Sequence, residues 1–496
     1  MTKKFDPSRR DFLRNASLLS AAGSFAAPFA LNLFAMNVAA ASNFPGSDYK
    51  ALVCLYMGGG NDHSNTVIAT DPTSWAGYQA ARNVGGAASI ALPFGALTTD
   101  AVNTAITPSR VQAGRTFALH PSMGLMKNLF VAGRAAVVAN VGPLLEPIAD
   151  NVAYRALATN RRPVNLFSHN DQTAQWQSTD PAKKIYGWGG RMADQFTGIN
   201  AKANFTSLSL SGNNAFLAGE TINQYQVNAN GTATAIGGFS NVFGSSGNHL
   251  QPIITTAGSN LFEIDHAAVV NRSIAAQADL NAVMAATTAV PAPGTYLNPT
   301  NNTQATNALA TQLLAVARII AGRNLLGAHR QVFFVNIGGF DTHDRQAPLH
   351  SDLLARLAHA VDYFDTTLNG LTPDGVGQNM RDKVTLFTAS DFGRTFASNG
   401  DGTDHGWGAH HFVVGGAVNG GNIYGPFPQT VIGSANPLDV GAGSTIPQIS
   451  VDQYAATLAK WFGLSTAEIA SVFPNLANFS TTPLGTDIGF MKPGFS

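Results

Sequence analysis

A single cysteine, Cys54, stands in the 496 residues of the chain, which excludes an intramolecular disulfide and leaves packing, with or without a bound metal, to stabilise the fold. Cys54 lies inside an apolar run with no cationic neighbour in sequence, so it reads as a small buried hydrophobe rather than a reactive thiolate. Net charge is lacking as well: 29 Lys and Arg balance 29 Asp and Glu, and no basic block follows the first residues. This points away from nucleic acid and from anionic membranes as partners. Beyond the N-terminus no apolar run is long enough to read as a membrane span. The glycine spacings of a P-loop or a dinucleotide fingerprint are missing too, which argues against an NAD-dependent oxidoreductase.

What is present begins with the N-terminus. Lys3 and Lys4 precede Ser8-Arg9-Arg10-Asp11-Phe12-Leu13, and Ala16 to Val38 then carries almost no charge. That order matches a twin-arginine export signal. Its many Ala, Ser and Gly residues make the stretch less apolar than a stable span, and Val38-Ala39-Ala40-Ala41-Ser42 offers a small-residue cleavage site. Residues 1–41 are therefore read as a signal peptide recognised by the twin-arginine translocase. The expected destination is the periplasm or the exterior, with no stable membrane span after cleavage. A retained N-terminal anchor is the competing reading of the same residues.

The mature part alternates strand-like and helix-like patterns. Ala51 to Met57, Ala135 to Val141, Val332 to Ile337 and Val384 to Thr388 are short β-rich runs of the kind buried on both faces. Leu353, Leu354, Leu357, Val361, Phe364 and Leu368 fall on one helical stripe. Ser450 and Gln453 form a capping box before Tyr454, Leu458, Trp461 and Phe462, and Gly463 closes that helix. The alternation predicts an α/β fold with a mainly parallel sheet flanked by helices. The middle differs, being crowded with Asn, Gly, Ser, Thr and Ala. The expected organisation is a first part of the core at 48–203, an inserted cap-like polar region at 204–303, and a second part of the core at 304–496. Phe239, Phe243, Leu261 and Phe262 argue that some of the insertion packs, and Pro291-Ala292-Pro293-Gly294 reads as its exit.

Ligands of parallel α/β sheets gather where strands end, so the four strand exits are the places to look. The first is Gly58-Gly59-Gly60-Asn61-Asp62-His63-Ser64, a tight turn. The second, reached after a helical stretch, is Phe167-Ser168-His169-Asn170-Asp171, where Ser168 reads either as a helix N-cap or as a nucleophile. The third is Gly338-Gly339-Phe340-Asp341-Thr342-His343, whose carboxylate and imidazole are close enough to share a cation. The fourth is Ser390-Asp391-Phe392-Gly393-Arg394, followed by Asp404-His405-Gly406-Trp407-Gly408-Ala409-His410-His411. This last span is the densest group of acids and imidazoles in the chain and reads as metal coordination.

These exits also carry a family resemblance. The segments GGGNDHSNTV, LHPSMGLMKNLFVAGRAAVVANVG, GGFDTHDRQ, TASDFGRTF and GTDHGWGAHHFVVGGAVNGGNIYG, in this order over nearly the whole mature chain, resemble the bacterial DUF1501 family within the alkaline phosphatase and sulfatase superfamily. The resemblance implies an alkaline-phosphatase-like sheet with a divalent-metal site, for zinc, calcium or magnesium, at its carboxyl edge. Asp341 and His343 look like the superfamily's Asp and His pair of one metal, and His405 like its later histidine. Asp391 looks like the strand-end aspartate of a second metal, and Ser168 falls where the superfamily places its nucleophile. Arg394 is then placed to grip a tetrahedral oxyanion. Three departures stand out: Phe392 occupies the usual position of a histidine ligand, the first exit has glycines, with Asp62 a few residues late, and His343 follows Asp341 at a closer spacing than usual. Asn61, Asp404 or His410 are the candidates to compensate, and Asp62, Asp404 and His410 join Asp341, His343, Asp391 and His405 as the expected metal residues. The implied function is an exported metal-dependent hydrolase acting on a small-molecule or polymeric phosphate or sulfate ester. The alternative is a non-catalytic binding or scaffold protein that retains the fold.

Overall fold

The computed structural model describes residues 48–494, apart from 100–102, 111, 113, 180–185, 234–235, 237–248 and 372–378. The signal segment with Arg9 and Arg10, and the insertion's Phe239 and Phe243, lie outside the described residues. The centre of the fold is a nine-stranded sheet. In chain order its strands are β1 (Lys50–Gly58), β2 (Ala135–Gly142), β3 (Ser207–Ser209), β4 (Tyr225–Gln226), β5 (Arg330–Gly338), β6 (Val384–Ser390), β7 (Ala409–Val414), β8 (Ile423–Tyr424) and β9 (Ile449–Ser450). Across the sheet the order is β8-β2-β7-β6-β1-β5-β3-β4, with β9 also paired to β2. Every pairing is parallel except the two that β7 makes, with β6 and with β2. The α/β architecture with a mainly parallel sheet is thus as expected from the alternation of patterns.

The four apolar runs become strands because both faces of the sheet are covered, so neither parity of side chain meets water. On one face Val53, Leu55 and Met57 of β1 and Phe333, Val335 and Ile337 of β5 enter one apolar cluster. That cluster includes residues of helices α1 (Gly124–Val131), α5 (Ala308–Ala321) and α6 (Gln346–Asn369). The other face carries α2 (His169–Ser178), α3 (Trp188–Asp194) and α7 (Val451–Phe462). There Trp188 and Tyr454 pack against Phe387 of β6, with ring centres 5.3 Å and 5.9 Å apart. Helix α7 has the anticipated capping box at Ser450 and Gln453, and Gly463 ends it in the left-handed region at φ 115°. Cys54 is buried, and burial pushes its thiol pKa well up.

The region 204–303 does not stay apart from the sheet. Its first part supplies β3 and β4, which extend the sheet beyond β5, because Phe205, Leu208 and Leu210 are buried in the same cluster as β5. Its later part is α4 (Leu261–Ala286), whose first turn, with Leu261 and Phe262, is exposed while Ala276, Leu280 and Val283 join the core. Among the described residues no helix is long and apolar enough to cross a membrane.

The ends of β1, β5 and β6 are in register, Gly58 opposite Gly338 and Met57 opposite Ser390. The exits of three neighbouring parallel strands therefore open side by side. Strand β7 follows β6 without a crossover helix, so it returns antiparallel. The residues that precede β7 are thereby delivered to the same edge.

Phe333→Ala should lower the unfolding free energy by about 3–5 kcal/mol, since it empties fully buried space in β5. Ser450→Ala should cost only about 1 kcal/mol, the value of one helix cap. Denaturant titrations of the two variants check the difference.

Candidate metal centre

Four loops meet at the carboxyl edge. Gly59 and Gly60, after β1, adopt φ 113° and 85°, and a Cβ at either would lie 2.4 Å from a neighbour, the Asp341 backbone nitrogen or the Phe392 ring. Only glycine lets the first loop lie this close to the third and fourth.

Asp341, after β5, is the hub. Its Oδ1 lies 2.9 Å from Arg394 Nη1, 3.1 Å from His343 Nε2 and 3.3 Å from His405 Nε2. Its Oδ2 lies 3.4 Å from Nε2 of His169, the first residue of α2. The Nε2 atoms of His343 and His405 are 2.9 Å apart. Single donor atoms of His169, Asp341 and His405 all fall within 4.8 Å of one another, a span that one ion with bonds of about 2.0–2.5 Å bridges. The Asp341 side chain is 44% exposed, so solvent and small solutes reach the cluster.

The opposite nitrogen of each imidazole is anchored. His169 Nδ1 lies 2.7 Å from Asp391 Oδ2, His405 Nδ1 lies 2.7 Å from the Phe167 carbonyl, and His343 Nδ1 lies 3.2 Å from Asp404 Oδ1. Carbonyls and carboxylates only accept, so these contacts favour hydrogen on Nδ1 and a bare lone pair on Nε2. The Nε2 lone pairs of His169 and His405 then converge with the Asp341 carboxylate, and the close approach of the His343 and His405 Nε2 atoms is repulsive unless a proton or a cation lies between them. Carboxylate or carbonyl support behind a histidine is how protein metal ligands are usually oriented.

Burial pushes the His405 pKa below the ordinary imidazole value, with the Phe167 carbonyl working against it. Partial burial pushes the Asp341 carboxyl up, but the Arg394 hydrogen bond and charge, with His343 and His169, hold it below its usual value. The Asp404 carboxyl is also held low, first by its hydrogen bond from Asn399. Phe392, where the resemblance expects a ligand, is buried, with its ring centre 4.8 Å from that of His169 and 4.6 Å from that of His405. It forms the apolar wall against which both imidazoles rest. Phe167 holds its carbonyl toward His405 from a left-handed backbone, φ 70°, and its N–H is taken by the Gln172 side chain of α2.

The anticipated residues divide. Asp341, His343 and His405 come together as donors, while Asp391 and Asp404 stand behind histidines. Arg394 is fully buried and already engaged: it donates to the Thr403 carbonyl and hydroxyl, to the Gly59 carbonyl and to Asp341. It bridges loops instead of offering a free fork to an oxyanion. The Ser168 hydroxyl caps α2, 2.8 Å from Asp171 Oδ2, one residue before His169. Asn61 is buried, its side chain bonded to Thr66 and His350. His410 is buried in β7, where its Nδ1 accepts the Asn140 N–H at 3.0 Å and burial pushes its pKa well down. Asp62 is buried beneath the first loop, paired through both oxygens with Arg82 and bonded to Gln346. Neither His410 nor Asp62 reaches the cluster. His169 is the donor that sequence reasoning passed over. The available signal was an imidazole at the very start of the helix already singled out for Ser168.

The Asp62–Arg82 pair predicts acid sensitivity. Burial raises the Asp62 pKa, but the Arg82 charge and hydrogen bonds outweigh it and hold the carboxyl at about 2, below its ordinary 3.8. A depressed folded-state pKa contributes stability that is present above the unfolded value and lost as pH falls through the folded one. Stability should therefore drop between about pH 4 and pH 2, and Asp62→Asn should flatten that part of the curve while lowering stability at pH 7. Arg82→Met, which strands a buried carboxylate, should cost about 3–5 kcal/mol at pH 7. Urea titrations at stepped pH check all three.

A family model described as Protein of unknown function (DUF1501) matches residues 49–442. No curated protein matches the chain. The family match covers most of the chain and takes in every residue of the cluster from His169 to His405, so the chain belongs to the DUF1501 family.

Proposed function

We propose that this protein is an exported metal-dependent hydrolase of the alkaline phosphatase and sulfatase type, acting on a phosphate or sulfate ester in the periplasm or outside the cell. The export part rests on the Arg9-Arg10 signal. The hydrolase part rests on one observation: three imidazole Nε2 atoms and the Asp341 carboxylate converge at a solvent-reachable carboxyl edge of the sheet. The mainly parallel sheet and the location of the cluster are those the superfamily resemblance leads one to expect.

His169, His343, His405 and Asp341 would hold the cation, and a donor set this rich in imidazole suits zinc better than calcium or magnesium, which prefer oxygen. A divalent cation there supplies Lewis-acid polarisation of an ester oxygen and lowers the pKa of an attacking hydroxyl or water. The chain supplies the rest. Ser168, beside the ligand His169 at the start of α2, is the nucleophile, and Asp171 Oδ2 is placed to take its proton. Attack forms a bond from Ser168 Oγ to phosphorus or sulfur and breaks the bond to the alcohol. Water then cleaves the seryl ester. Arg394 keeps Asp341 in place throughout.

A second reading, a non-catalytic protein that uses one bound cation to hold a partner, is favoured by Asp62 and Phe392. With the first locked to Arg82 and the second in the wall, the donors gathered among the described residues suffice for one cation and not for the two of a phosphatase. Metal analysis and turnover of aryl phosphates and sulfates separate the readings. His405→Ala should lose the metal and the activity, whereas Ser168→Ala should keep the metal and lose turnover by several orders of magnitude. Metal retained with turnover unchanged in both variants would leave the binding protein as the better account.

A further inference from the structure

The resemblance makes Asp391 a ligand of a second cation, yet its contacts give it other work. The side chain is buried at the end of β6. Oδ1 accepts the Gly59 N–H at 3.2 Å, and Oδ2 lies 2.7 Å from His169 Nδ1. The two nitrogens of an imidazole occupy opposite edges of the ring. A cation about 2.0–2.1 Å beyond His169 Nε2 is therefore roughly 6 Å from an oxygen bonded to Nδ1, far outside a coordination bond. Asp391 and His169 cannot bind one ion from these positions. The ring has little freedom to reverse, since the Phe392 and His405 ring centres stand 4.8 Å and 4.4 Å from it.

Building on the metal reading above, we propose that Asp391 is the positioning residue of His169: it holds the hydrogen on Nδ1 and so aims the Nε2 lone pair at the cation shared with Asp341 and His405. Several parts of the fold serve this role. Ser390, next to it, donates to the Met57 carbonyl at 2.6 Å and accepts the Asn61 N–H at 3.0 Å, which fixes the end of β6 against the first loop. Gly59, whose N–H donates to Asp391, also accepts at its carbonyl from Arg394, the arginine bonded to Asp341. One residue thus links the carboxylate behind His169 to the arginine that holds the carboxylate in front of it. A free histidine favours hydrogen on Nε2, which would block that nitrogen as a ligand, so the acceptor behind the ring decides whether His169 can bind metal at all.

The test uses the mature chain, metal-free and nitrogen-15 labelled, with the His169 ring signals assigned by comparison with His169→Gln. The wild type and Asp391→Asn, whose amide oxygen still accepts, should both show hydrogen on Nδ1. Asp391→Ala should move it to Nε2. Zinc affinity should fall roughly 10–100-fold in Asp391→Ala and less in Asp391→Asn, with stoichiometry retained in both. Zinc stoichiometry lost in Asp391→Asn as fully as in His405→Ala would make Asp391 a direct ligand and overturn the proposal. Hydrogen on Nε2 in the wild type would overturn it as well, and that result needs no variant to fold. If the wild type binds no zinc, the hydrolase reading fails on its metal, while the tautomer comparison still decides the role of Asp391.

Discussion

The cluster depends on the buried guanidinium of Arg394. An arginine with no exposure must place its N–H groups on protein acceptors, because a buried charge left unpaired is costly. It finds those acceptors on three loops, at Gly59, Asp341 and Thr403. Satisfying one side chain therefore fixes the relative positions of the exits of β1 and β5 and of the segment that leads into β7. Asp341 is the most consequential partner, since its half-exposed carboxylate would otherwise be free to turn toward water.

Topology brings the other donors to the same place. Parallel strands β1, β5 and β6 present their carboxyl ends together, and the single reversed strand, β7, presents its beginning there. This is why Asp341 and His343, which follow a strand, can meet His405, which precedes one. A fully parallel sheet would have sent the residues before β7 to the far edge. The reversal is thus part of the site as much as any ligand.

Much of the fold was legible in the sequence because burial on both faces leaves a plain trace. The runs Ala51 to Met57 and Val332 to Ile337 are apolar at nearly every position, and the stripe of α6 and the capping box of α7 are local patterns with local causes. Strand β3 was not legible, since three residues in a polar region carry no periodicity and pair only because β5 offers an edge. At the site, residue type singled out Asp341, His343 and His405, which the fold brings within contact of one another, but spacing along the chain could not say which way a ring would face. His169 was hidden beside a serine with an obvious capping role. Arg394 and Asp391 were noticed for their chemistry, while their roles follow from neighbours distant in sequence, Thr403 and Gly59 for one and His169 for the other. Asp62 looked like a late substitute for a ligand, and only the fold reveals Arg82 beside it.

The left-handed backbone of Phe167 ties two donors into one moving part. A bulky residue in that region stores roughly 1–3 kcal/mol of strain, which the Gln172 side chain of α2 restrains by accepting the Phe167 N–H. The carbonyl so held is what anchors His405, and α2 itself begins with His169. Any displacement of this helix withdraws one imidazole directly and unmoors the other through the Phe167 carbonyl, so the two rings keep or lose their places together rather than independently.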